Sequence, residues 1–595
     1  MWRRWQPLIG NTLRKHHVRL AISLLVLFLI SLAMNGPIWA ALPSRNPINA
    51  NIPGTFWSME LEDVVTIPDS SGQPPRLEFL TGGGAAGLAY VIDQRGKVYS
   101  FDPTAGSPTP SVFLDLDAEV PAFRYSGQQG VRGLAFHPDF NNSGTDGYRK
   151  FYTSHSRTAF GGPLVGSPII YGAPSPPGVD HDSVVGEWTV NANGTVNTSS
   201  YRELLYVGQP RDDHNIGQIG FNPNVSSGDP DFGKLYIALG DGGGVQDPNN
   251  LAQDLSEPLG SYLRIDPIVS GGDPFSVPGD NPLKISNDPA TARNLIWAYG
   301  LRNPHRFTFD TAGDGKMLIS DIGQGSIEEI NLGVAGANYG WDLREGTYIT
   351  TGNANVLDNL PAGHATDSFT YPVAQYDHTN NLVNGSVATA GGSVYRGTGV
   401  PQLTGLFIFG EFATNSGPIF AVDVDELILR DDFTNLTSLN DGHLAPFAEV
   451  QLTFGGVDKT FLQIIADETG QGESRTDMRF GVGPDNEIYV LNKHDGVVRR
   501  IVSVSGILDG DADRDGDVDG TDFLTWQLNA GSSGDWSDGD FNGDGFVDSA
   551  DLALLEAEFG NTVPLSSAAS VPEPASALIC LIGMSLLGLS RGRTK

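Results

Sequence analysis

Cysteine is almost absent from this chain: of 595 residues only Cys580 carries a thiol, and it falls within the last sixteen positions. No disulfide can brace the fold, and no thiolate metal site can form. Basic residues are scarce too, 36 Lys and Arg against 70 Asp and Glu, for a net charge of −34 and an isoelectric point near 4.5. Such a field repels phosphate backbones and anionic lipid, which argues against nucleic-acid binding. It suits calcium. Long hydrophobic runs are missing as well, since the stretch from Leu20 to Met34 has about 15 residues where a bilayer span needs roughly 20. What the chain does have is Gly (75) and Pro (38), together about 19 % of it, above average usage but short of low complexity. These features describe a large, turn-rich globular chain.

The two ends read as targeting segments. Arg3, Arg4, Arg14, Lys15 and Arg19 precede the apolar run, and Ala40 and Ala41 follow Pro37. Residues 1–40 therefore have the charged region, short apolar core and small-residue cleavage site of a secretory signal peptide. An uncleaved N-terminal anchor is the alternative. At the other end Val571-Pro572-Glu573-Pro574, an apolar stretch from Ala577 to Leu589, and the basic residues Arg591, Arg593 and Lys595 follow in order. Residues 571–595 resemble the PEP-CTERM sorting signal. The resemblance implies export to the cell surface, outer envelope or extracellular matrix of a Gram-negative bacterium, with recognition by exosortase-type machinery. Membrane contact would be confined to these terminal segments, and a plain C-terminal tether is the alternative.

Residues 509–561 contain two acidic loops of one design. The first carries Asp511, Asp513, Asp515, Asp517, Asp519 and Asp522; the second carries Asp540, Asn542, Asp544, Phe546, Asp548 and Asp551. Oxygen side chains fall at loop positions 1, 3, 5, 9 and 12 with Gly516 or Gly545 at position 6, the spacing with which an EF-hand loop surrounds calcium. Position 7 supplies a backbone carbonyl, so Asp517 and Phe546 are interchangeable there. Each loop is followed by a helical apolar pattern, Phe523, Leu524, Trp526, Leu528 and Leu552, Leu554, Leu555, Phe559. The segment resembles a type I dockerin, a small α calcium-binding domain. That implies a cohesin-like protein partner, with exposed helix residues such as Thr521 and Ser549 setting partner choice.

The body, residues 42–503, repeats a phrase of β-rich run, turn and β-rich run. It occurs at 87–101, 133–153, 219–238, 306–320, 392–409 and 478–491. Six such phrases predict an all-β fold, a six-bladed β-propeller. About 77 residues per blade far exceed the roughly 24 that four strands need, so long loops carry the rest and house the site.

Three loop phrases carry chemistry: Asp212-Asp213-His214-Asn215, Tyr299-Gly300-Leu301-Arg302-Asn303-Pro304, and Ser320-Asp321-Ile322-Gly323-Gln324. An Arg-Asn pair beside a proline-fixed turn offers a forked cation and an amide to a planar ligand. The third phrase can expose backbone carbonyls to a hard cation. With the run Gly130 to Phe140 before them and Asn338 to Asp342 behind, they resemble the glucose/sorbosone dehydrogenase family over roughly residues 75–502, including its hedgehog-interacting-protein-like branch. The resemblance implies a secreted six-bladed propeller binding pyrroloquinoline quinone (PQQ) and calcium and oxidising an aldose-type sugar. Carried over by position, His214 is the general base. Arg302, also counted as catalytic for steadying charge on the reduced cofactor, contacts the quinone with Asn303 and Ser386. Gly323 and Gln324 offer main-chain oxygens to calcium.

This sequence also departs from that pattern. The segment Gly410 to Gly417 has no counterpart of the family's cofactor-contacting lysine, and of an expected arginine pair before the last blade only Arg475 and Arg479 are present. Two readings stay open, a quinone-dependent sugar dehydrogenase and a cofactor-free propeller that binds carbohydrate or protein outside the cell.

Overall fold

The computed structural model describes residue 48 and residues 51–563 except 70–71, 160–167, 172–177, 270, 314, 352–356, 360–367, 379–386, 431–443 and 471. The signal-peptide and sorting segments and Ser386 lie outside the described residues.

The strands form a ring of six blades, most of them four-stranded; blade 2 carries a fifth strand, Ile169–Tyr171. In blade 1 the order is Leu77–Thr81, Ala89–Asp93, Lys97–Phe101 and Ser111–Asp115. The inner strands of blades 2 to 6 are Val131–Phe136, Ile216–Phe221, Arg306–Phe309, Thr389–Val394 and Arg479–Val482. Each inner strand touches the inner strands of both neighbouring blades, so the ring is closed. The N-terminal strand Gly54–Thr66 completes blade 6 from outside, pairing antiparallel with Val497–Ser505. This ties the beginning of the ring to its end and leaves no free edge there.

Glycine lets the inner strands crowd around the axis. A Cβ on Gly217 would stand 2.7 Å from the carbonyl oxygen of His305 in the next blade, and one on Gly481 2.3 Å from that of Leu80. Outward from these strands the blades pack through aliphatic and aromatic layers, such as Tyr90, Phe136, Phe151 and Trp188 between blades 1 and 2. Dispersion and burial act together here, at roughly 1.5–3 kcal/mol for each large side chain removed from water.

Glu78, Arg132, Arg306 and Arg479 stand at or near the starts of four inner strands and meet one another. The strand starts therefore share one mouth of the channel, here the near mouth. The later parts of all six inner strands line a cavity of about 640 Å³ toward the far mouth.

The repeat phrases coincide with the first two strands of blades 2 to 6. In blade 1 the phrase falls one strand late, on Ala89–Asp93 and Lys97–Phe101. Residues 509–561 form a separate small core of Ala512, Val518, Trp536, Phe541 and Leu555 under the helices Gly520–Asn529 and Ser549–Glu558. Both helices begin on reciprocal aspartate caps, Asp519 with Asp522 and Asp548 with Asp551. The apolar pattern is used unevenly, because Leu555 is buried while Leu524, Leu528 and Phe559 are exposed. This module is docked on blade 5. Arg514 donates to the carbonyls of Gln402 and Thr404 and pairs with Asp423, while Arg396 bridges Asp310 and Asp535.

Candidate active site at the near mouth

The loop ahead of blade 3 delivers His214 to the near mouth in a left-handed backbone conformation, φ 50°. Its amide donates to the Gln128 side chain of blade 2. Its Nδ1 lies 2.6 Å from Asp241 Oδ1, and since a carboxylate only accepts, Nδ1 carries a proton and Nε2 is the nitrogen that can exchange one. Asp241 is fully buried and is itself held twice more, by the Gly243 amide at 2.9 Å and by the indole Nε1–H of Trp341 at 2.8 Å. Burial alone would raise the Asp241 carboxyl, but His214, Arg302 and the Gly243 amide bring it below the usual carboxylate range. The arrangement is an oriented histidine base with a buried carboxylate partner.

Arg302 approaches from the loop before blade 4. Its main-chain oxygen accepts from the Asp241 amide, and its Nη1 donates to the carbonyls of Ile322 at 2.9 Å and Gly323 at 2.6 Å. The guanidinium carbon lies 5.7 Å from the Trp341 ring centroid. Asp321 accepts the amides of Arg302 and Asn303, at 2.9 and 2.7 Å, and so fixes this turn. Thus His214, Arg302 and Asn303 converge, and Asn215 joins them.

Gly323 and Gln324 sit beside the same cleft, in a turn only glycine can make, since a Cβ at Gly323 would lie 1.6 Å from the Ile327 carbonyl oxygen. Glu345 accepts the amides of Gln324, Gly325, Ser326 and Ile327 through one oxygen. The Gly323 carbonyl already faces a guanidinium, so calcium on it would set a dication against Arg302. In this arrangement the pair does not fit a calcium ion, and no chemical step is assigned to one.

The buried polar groups around His214 and Arg302 do leave donors and acceptors that a polar organic ligand could use. Arg302 Nε, Asn215 Oδ1, Gln324 Nε2, Asp247 Oδ1 and Asp342 Oδ1 are buried without hydrogen-bond partners, a concentration of unsatisfied groups that a native interior avoids unless something polar meets them. Burial pushes the Asp247 carboxyl up to about 6. In the acidic loops, ligand oxygens of Asp511, Asp513 and Asp522 lie within 4.8 Å of one another, as do those of Asp517, Asp519 and Asp522. Burial, with the charges of Asp522 and Asp513, raises Asp511 to about 7.

Sequence reasoning missed Asp241, Trp341 as its partner, and Gln128. Asp241 had a visible signal, a lone carboxylate in the glycine run Leu239-Gly-Asp-Gly-Gly-Gly244 at the end of a strand. Trp341 lies inside the Asn338 to Asp342 phrase already noted.

The fold and site define a closed six-bladed β-propeller with a histidine–aspartate pair and an Arg-Asn turn at one mouth. The family model for glucose / sorbosone dehydrogenase matches residues 88–435, and the chain belongs to that family. The HIPL2 protein of Arabidopsis thaliana is 30 % identical over 393 residues, which cover 60 % of this chain and 51 % of that protein. Quinoprotein glucose dehydrogenase B of Acinetobacter calcoaceticus is 27 % identical over 274 residues, 41 % of this chain and 46 % of that one. The chain thus spans about half the length of these curated relatives. The PQQ-bound aldose sugar dehydrogenase of Streptomyces coelicolor aligns over 76 % of this chain and 100 % of that one, with 16 % identity and a TM-score of 0.45.

Proposed function

We propose that this protein is a PQQ-dependent oxidoreductase that oxidises an aldose-type sugar outside the cell. The observation that carries the reading is the buried Asp241 bond to His214 Nδ1, which leaves Nε2 as a base at the near mouth. PQQ, when bound, supplies a two-electron acceptor that takes hydride from the sugar carbon. His214 Nε2 takes the proton of the adjacent hydroxyl, Asp241 stabilises the resulting imidazolium, and Trp341 keeps that carboxylate turned toward it. Arg302 and Asn303 hold the ligand face of the cleft, and the partnerless Arg302 Nε is the donor available to it.

The family membership and the quinoprotein relative support this reading. A second reading, a cofactor-free binding propeller, is favoured by the Arg302 guanidinium on the Gly323 carbonyl and by relatives named as hedgehog-interacting proteins. The two acidic loops are proposed to bind calcium and to serve a cohesin-like partner, and the terminal segments to direct export and exosortase-type sorting. The deciding experiment adds PQQ and calcium to the purified full chain and follows dye reduction with aldoses. Sugar-dependent reduction that disappears in His214→Ala supports the dehydrogenase, and none with both additions saturating overturns it in favour of the binding propeller.

A further inference from the structure

Residues 509–561 hold fifteen acidic side chains and a single basic one, Arg514. That one cation stands inside the first acidic loop, at position 4, between Asp513 and Asp515. Its backbone is left-handed, φ 55°, where the matching position of the second loop is Gly543 at φ 71°. The conformation suits glycine and is unfavourable for arginine, so this residue is held in it by what its side chain touches.

Arg514 touches the propeller. Its Nε donates to the Gln402 carbonyl at 3.0 Å, its Nη2 to the Thr404 carbonyl at 2.7 Å, and its Nη1 lies 3.3 Å from Asp423 Oδ2. The side chain is 8 % exposed, and among the described residues its one ion pair is with Asp423, not with the carboxylates beside it. Gly543 meets the same place from the second loop, since a Cβ on it would stand 2.8 Å from Pro401 Cγ. The fourth positions of both loops thus straddle the short 3₁₀ turn Pro401–Leu403 of blade 5, one with a long cation and one with no side chain. Two weaker ties flank them, Arg396 to Asp535 at 2.9 Å and Gln402 Nε2 to Asp509 at 3.2 Å.

Ligand oxygens of Asp511, Asp513 and Asp522 lie within 4.8 Å of one another, and carboxylates this close repel unless a cation lies among them. Two cations are within reach of the first loop, a calcium ion and Arg514. A guanidinium drawn into the loop cannot also reach Gln402, Thr404 and Asp423. We propose that Arg514 is a latch set by calcium. With the ion in the first loop, the carboxylates are neutralised without the arginine, and the guanidinium fastens the module to blade 5. Without the ion, Arg514 turns back to Asp511, Asp513 and Asp515, and the module leaves blade 5. The latch rests on the calcium reading of the two loops. Docking and calcium binding then strengthen each other by one and the same factor. In calcium, the helices that carry the exposed Leu524, Leu528 and Phe559 are held at a fixed angle to the propeller.

Calcium titration by calorimetry of the full-length protein, stripped with chelator, tests this beside limited proteolysis near residue 505. Wild type should be cut quickly in chelator and protected in calcium. Asp423→Asn lies on the propeller, contacts no loop carboxylate and keeps the acceptor that caps the Asp425 amide. It should weaken calcium binding about 5-fold or more, the lower end of usual coupling between sites. Arg514→Gln should gain helical circular dichroism with calcium yet stay cleavable near residue 505 at saturating ion. Wild type cut equally fast with and without bound calcium, or Asp423→Asn with wild-type calcium affinity, overturns the latch and leaves the calcium reading intact. A wild-type chain that takes up no calcium overturns both.

Discussion

Glu78→Gln removes the one anion from a buried group of four cations, Arg132, Arg306, Arg479 and Lys493, while keeping its shape. Breaking a buried pair by deleting one partner typically costs 3–5 kcal/mol, because the charge left behind stays desolvated. Here three guanidinium groups and an ammonium lose their shared counter-charge, so the loss should be at least about 4 kcal/mol at pH 7. The pH dependence follows from the signs. Glu78 is held well below the usual carboxylate range by Arg132, Lys493 and Arg479, which outweigh its burial. Its contribution is present above the unfolded glutamate pKa and disappears as pH falls through its folded value. Lys493 is depressed, chiefly by burial. Its charged form therefore penalises the native state below the unfolded lysine pKa, and the penalty fades as pH rises. The Glu78→Gln defect should shrink between pH 7 and pH 10 as Lys493 sheds its proton, and Lys493→Met added to it should recover a measurable part. Urea denaturation followed by tryptophan fluorescence at both pH values, with the double-mutant cycle, reads this directly. A Glu78→Gln protein within about 1 kcal/mol of wild type, the range of an ordinary surface change, would refute the charge argument.

Asp241→Asn should lower sugar-dependent turnover by roughly 10² to 10⁴, because an amide NH₂ facing Nδ1 shifts the histidine proton to Nε2; steady-state kinetics beside an unchanged melting curve checks it. Arg514→Ala should release residues 509–561 from blade 5 without unfolding the propeller, seen as faster proteolysis near residue 505. Chelation should remove the helical circular dichroism of residues 509–561 while sparing the β signal, and Asp511→Ala with Asp540→Ala should mimic it; helices that persist in chelator count against calcium loading.

Local patterns in the sequence were legible where the physics was local. Alternating runs around tight turns announce strand pairs, and five of the six phrases land on the first two strands of a blade. In blade 1 the phrase falls one strand late because the inner strand, Leu77–Thr81, follows a proline-bearing loop with no glycine-led phrase to mark it. The closing strand Gly54–Thr66 has its partner more than 400 residues away, and no short-range period can reveal that. The site divides in the same way. His214, Arg302 and Asn303 stand in compact motifs. Asp241 and Lys493 matter because blades 3 and 6 carry them to the axis, and Glu78 looks like any strand glutamate until five blades have been closed around it.

Overall charge and local charge then act at different ranges. A chain at −34 repels an anionic ligand at a distance, but at physiological ionic strength that field is screened beyond roughly 8 Å. Inside the near mouth screening is weak, and four cations share a single carboxylate within hydrogen-bonding reach. The net charge of the chain and the charge inside the near mouth thus have opposite signs, and salt separates them: it screens the first and leaves the second, which is desolvated, in force.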